Sequence, residues 1–113
     1  MELKVGDICK HFKGMDLYEK NIYEIIAVDV KYTGNKENVS NLIVYKNIFQ
    51  ENMYFAREQS DLCEELSLEN QKQYGQTHRI DLLTNDEKNI IYTDEFFIKK
   101  TEYMEQKFLQ RQL

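Results

Sequence analysis

Proline and tryptophan are absent from this chain of 113 residues, glycine occurs four times and cysteine twice. Without a proline-rich or low-complexity stretch there is no linker at which to divide it. One domain spanning 1–113 is therefore expected, large enough to bury roughly two-thirds of the surface its unfolded form exposes. The four glycines stand singly, which excludes a glycine-rich loop cradling phosphates. No run approaches the roughly 18–20 apolar residues needed to cross a bilayer. The start Met-Glu-Leu-Lys-Val-Gly-Asp has neither the basic nor the apolar region of a signal peptide. A cytoplasmic protein without membrane contact is the expectation. Cys9 and Cys63 are then expected as buried free thiols, although their pairing stays open. An excess of positive charge is missing too. A formal net charge of −5 argues against unspecific binding along a phosphate backbone, which strengthens with each phosphate neutralised by Lys or Arg. It leaves room for a local basic patch.

What is present reads as β-rich and globular, with 42% hydrophobic and 31% charged residues arguing against disorder. Ile22–Val30 is the best-defined strand: β-branched residues dominate, and Glu24 and Asp29 are set among apolar neighbours of both parities. That pattern predicts a strand lying between two layers. Ile8–Phe12 reads as a first strand ended by Lys13-Gly14, Leu42–Tyr45 as the antiparallel successor, and Met53–Arg57 as a further strand after the turn Gln50–Asn52. Beyond Arg57 the pattern changes to helix starts: Ser60 or Asp61 for a short helix through Leu66, and Ser67 for another that stops at Gly75. His78–Leu83 reads as a returning strand. Thr84–Glu87 matches a capping box while Asn89–Tyr92 fits a hairpin strand equally well, so 85–92 is open between helix and strand. Thr93 is expected to cap a last helix, with Asp94 and Glu95 in its first turn and Lys107 and Arg111 near its end. Phe97, Met104 and Phe108 lie near one side of that helix, flanked by Ile98 and Tyr103. Such a stripe either docks on the sheet or pairs with a second copy, making a homodimer through the C-terminal helix.

Several segments carry a resemblance. Lys10-His11-Phe12-Lys13-Gly14 contains a His-Phe-Lys-Gly signature, followed by Tyr23-Glu24-Ile25 and by Ile43-Val44-Tyr45-Lys46-Asn47-Ile48-Phe49. Phe55-Ala56-Arg57 is similar to a Trp-Val-Arg-Pro segment, and Tyr74–Asp81 to a Gln-Lys-Tyr-Arg-Phe-like run. In this order they resemble a small bacterial family without an assigned activity, domain-of-unknown-function family 1653, over roughly residues 4–82. Three features depart from it: a longer loop between Gly14 and Tyr23, Val30-Lys31-Tyr32-Thr33 in place of a His-Ser-Glu-Thr-like turn, and Glu58 where the family often has proline. The resemblance implies an SH3-like barrel. The fold expected overall is mainly β within an α+β class: a small, partly open antiparallel barrel of about five strands with short helices, its core at 4–82, and a mostly helical C-terminal extension at 83–113.

For function, His11, Phe12, Lys13, Tyr23, Tyr45, Phe55, Arg57 and Arg79 are the candidate ligand-binding residues. Cations among aromatic rings suit an anionic or planar ligand, since Arg binds carboxylate or phosphate bidentately and stacks on rings. The structural alternative pairs Arg57 with an acid such as Glu24 or Asp7. His11 is either a proton donor or acceptor or a hydrogen-bonded, partly buried strand-end residue. Cys9, His11, Cys63 and His78 supply tetrahedral ligand types, yet neither Cys-x-x-Cys nor His-x-x-x-His occurs, so no metal is expected, and no cofactor. Glu64-Glu65 and Asp94-Glu95 are read as helix-start acids rather than catalytic pairs. A binding module for a peptide, partner protein or small anion is the leading expectation. The alternatives are a single-stranded nucleic-acid accessory protein and an enzyme of unrecognised type for which His11 is the only acid–base candidate.

Overall fold

Ile22–Val30 is the middle strand of one five-stranded antiparallel sheet in the computed structural model, which describes residues 2–112. In chain order the strands are β1 (Ile8–His11), β2 (Ile22–Val30), β3 (Leu42–Asn47), β4 (Tyr54–Glu58) and β5 (Ile80–Leu82). The helices are α1 (Gln59–Leu62), α2 (Leu68–Tyr74), α3 (Asn85–Ile90) and α4 (Asp94–Gln112), with a 3-10 turn at Leu17–Glu19. Spatial order is β4-β3-β2-β1-β5, so the meander runs outward from β1 and β5 returns to its other side. The five antiparallel strands are as expected, but the sheet is not closed into a barrel, where a partly open one was expected: β4 and β5 are its two edges. The reason lies in the chain path, for β4 runs straight into α1 at Gln59 and β5 spans only three residues.

β2 is covered on both faces, as its mixed parity predicts. On one face Cys9, Tyr23, Ile25, Ile43, Tyr45 and Ile80 pack with Leu3 and with Leu62 of α1. On the other, Ile22 packs with Leu83, Ile91 and Phe96, supported by Ile8, Leu17 and Phe49. Register makes this inevitable. Cys9 opposes Tyr23 and Ile25 opposes Tyr45, and side chains directly across an antiparallel pair share a face.

Local chemistry sets the element ends. Gly14 leaves β1 with φ +109, and a Cβ there would lie 3.0 Å from the Glu19 backbone, so glycine is required twice over. Ser67 caps α2 by accepting the Asn70 N–H, and Gly75 ends it in the left-handed region. The 85–92 alternative resolves toward helix, because Thr84 and Glu87 form the reciprocal capping box of α3. Thr93 caps α4 through the Phe96 N–H. Several boundaries differ from expectation: β1 stops at His11, β3 runs on to Asn47, β4 is shifted by one residue to Tyr54–Glu58, and α1 ends at Leu62, not at Leu66. α1 starts at Gln59 after Glu58 and not at a Ser60 or Asp61 cap, since Asp61 is taken by Arg57. β5 keeps only Ile80–Leu82, with His78 in a separate bridge to Glu65. Cys9 and Cys63 are free thiols. No helix among the described residues is long and apolar enough to cross a membrane.

Because Ile22 and Ile25 are both fully buried but in different cores, Ile22→Ala and Ile25→Ala should each lower unfolding free energy by about 2–5 kcal/mol in urea titrations. A cost below about 1 kcal/mol for either would mean that its face is not packed.

Candidate functional site

The aromatic half of the candidate set converges. Tyr23 meets Tyr45 edge-on at 4.9 Å between ring centroids and Phe55 at 5.9 Å, while Tyr45 and Phe55 stack at 5.5 Å. The cause is register: Tyr45 opposes Phe55 directly across β3 and β4, and Tyr23 follows on the same face of β2. Tyr23 and Tyr45 are buried, while Phe55 at the sheet edge keeps 39% of its surface exposed.

The basic half is largely committed to acids. Arg57 pairs with Asp61 at 2.6 Å and Arg79 with Glu64 at 2.8 Å. The pairing expected for Arg57 is thus found, but with Asp61 in place of Glu24 or Asp7; the Asp7 carboxylate accepts the Lys4 N–H instead. Glu64 accordingly serves Arg79 and not a helix start. Lys13 is exposed at the turn. Phe12 is buried, meeting the Tyr74 ring of α2 edge-on at 5.3 Å, and belongs to the packing of that turn. In the sheet, β2 and β3 intervene between β1 and β4, so the His-Phe-Lys-Gly segment and the Phe-Ala-Arg segment are not strand neighbours. They share a face but not a strand pair.

His11 stacks on Phe12 at 4.8 Å, and its Nδ1 accepts the Lys13 N–H at 3.3 Å. Burial, and then the positive charges of Arg79, Lys13, Arg57 and Lys20, push the imidazole down to about 4. Its proton at neutral pH therefore sits on Nε2, the nitrogen left by the bond to Nδ1. A second histidine lies beside an acid, His78 Nδ1 at 3.0 Å from Asp81 Oδ1, where the other Asp81 oxygen accepts the Thr77 and His78 N–H groups and ties the loop before β5. Burial pushes the Cys9 thiol up to about 12, with the Asp7 charge adding to the effect, so no reactive thiolate forms there. Among the described residues no group of three His, Cys, Asp or Glu side chains is placed to hold a metal ion.

Where the aromatic face meets α4 there is a cleft of about 410 Å³. Tyr23, Met53 and Phe55 line its sheet side, and Lys100, Met104, Lys107 and Arg111 its helix side. Sequence reasoning found Tyr23 and Phe55 but missed the helix wall. Lys100 is buried, with 4% of its surface exposed. Its Nζ donates to the Lys20 carbonyl, and burial, then the Lys107 charge, lowers it to about 8. The available signal was the position of Lys100 four residues after Phe96 and four before Met104, a cation placed within an apolar face. Lys107 lies over the Tyr103 ring at 4.8 Å, which keeps its charge at the cleft rim. Compared with protein-family models, curated proteins and solved structures, the chain matches none.

Stability should depend on pH through His11. The unfolded chain takes up a proton near 6.5 and the folded one only near 4, so stability is intact above about pH 6.5, falls as the pH drops toward 4, and levels off below. Unfolding titrations at a series of pH values should show a loss on the order of 2 kcal/mol across that window, removed in His11→Gln. A His11 proton resonance titrating near the ordinary value would overturn the assignment.

Proposed function

We propose that this protein is a binding module that acts without turnover, taking a peptide, partner-protein segment or small anion in the cleft between the sheet and α4. The observation that carries this is the pairing, across one opening, of the Tyr23 and Phe55 rings with the cationic side chains of Lys107 and Arg111, the Lys100 ammonium being committed to the Lys20 carbonyl. Flat rings supply contact area at little entropic cost, and the opposing cations recognise carboxylate or phosphate. Arg57 and Arg79 hold the architecture and lend positive potential; their pairing with Asp61 and Glu64 assigns direct contact to the α4 cations. The cytoplasmic placement, the SH3-like character of the sheet and the kinship with family 1653 belong to the same proposal. In support of the second of these, the fifth strand returns beside the first, giving the order β4-β3-β2-β1-β5.

Single-stranded nucleic acid is the second reading, favoured by the partly exposed Phe55 ring stacked on Tyr45. The net charge of −5 opposes it. Titrating backbone amide shifts with acetyl-Glu-Phe-Glu-Leu-amide, and in parallel with oligo(dT), separates the two. The peptide should perturb Tyr23, Phe55 and Lys107, and Phe55→Ala with Lys107→Glu should weaken its binding at least about tenfold. Shifts confined to the Phe12 and Arg79 region, or salt-sensitive binding of oligo(dT) alone, would overturn the proposal.

A further inference from the structure

The stripe that sequence pattern singles out on α4 docks only in part: Met104 and Tyr103 are half-buried against the body, while its other aromatics stay exposed. Phe96 and Lys100 face the body, with 5% and 4% of their surface exposed, while Phe97 and Phe108 keep 60% and 61%. Beside them runs a groove of about 580 Å³ between α4 and Phe49, with Met104 and Leu109 in its lining. The stripe Asp94, Phe97, Thr101, Met104, Phe108 and Arg111 has steps that alternate three and four residues from end to end, and its Met104, Phe108 and Arg111 also line the cleft of the proposed function. That is the spacing of a helix-pairing seam, apolar at Phe97, Met104 and Phe108, and it reads the same in either direction.

We propose that α4 pairs with α4 of a second copy of this chain in an antiparallel, two-fold symmetric contact centred between Thr101 and Met104. Rotation about that centre sets Phe97 opposite the partner's Phe108, Thr101 opposite the partner's Met104, and Asp94 opposite the partner's Arg111. The charges at the two ends are therefore complementary, and each contact occurs twice. A parallel pair would set Asp94 on Asp94 and Arg111 on Arg111. Among the described residues neither of these two forms an ion pair within its own chain. Antiparallel helix dipoles add to the preference.

Sedimentation equilibrium of the full chain tests this, with circular dichroism to confirm that each variant is folded. The native chain should be dimeric, and Phe97→Glu should raise the dissociation constant at least about tenfold; Phe97 lies outside the cleft of the proposed function, so peptide binding should persist in that monomer. Asp94→Arg alone should weaken association, and adding Arg111→Asp should restore it to within about threefold of the native chain. A native chain still monomeric at about 1 mM, or a double exchange no stronger than the single one, would overturn the proposal. Loss of peptide binding with association intact would count against the cleft alone.

Discussion

Two buried lysines, neither paired with a carboxylate among the described residues, tie three segments of this molecule together. Lys20 Nζ donates to the carbonyls of Phe12 and Gly14, each at 2.8 Å, and Lys100 Nζ donates to the carbonyl of Lys20 itself. Both side chains are buried, and burial lowers both from the ordinary lysine value. An ammonium in such a place survives because carbonyl oxygens replace its water. The arrangement ties the exit turn of β1 to the segment before β2 and then to the middle of α4. It fixes where the last helix lies, and the cleft and the outward stripe both follow from that placement.

The sheet was largely legible because its signals are local. β-branched runs of the right length, Gly14 and Gly75 where positive φ is needed, and the Thr93 cap each act within a few residues, whereas the Thr84 capping box could not be told from a hairpin strand. Even the two-faced burial of β2 was visible, since Ile22 and Ile25 have opposite parity. Closure of the sheet was not visible in this way. It depends on whether the chain after β4 heads toward β5 or turns aside, and that choice is made by the packing of α1 through Leu62.

The site divides along the same line. Tyr23, Tyr45 and Phe55 could be grouped because strand register follows from pattern, and register brought the rings together. Arg57 and Arg79 could be named but not partnered: their acids come from α1 and from the segment after it. The helix wall was hidden for a different reason. Apolar periodicity marked Phe97 and Phe108 as a stripe without saying what covers it, whereas Phe96 and Lys100 are the residues buried against the body, Lys100 donating to the Lys20 carbonyl. The rotation of the helix goes with the burial of Phe96 among Ile22, Leu83 and Ile91 together with that hydrogen bond.

Cys9 extends this picture to motion. Its thiol is enclosed at the middle of β1, between the pairings to β2 and β5. A maleimide reagent can reach it only when the layer of Leu3 and Leu62 over that face lifts, so its alkylation rate keeps time for the opening of the core.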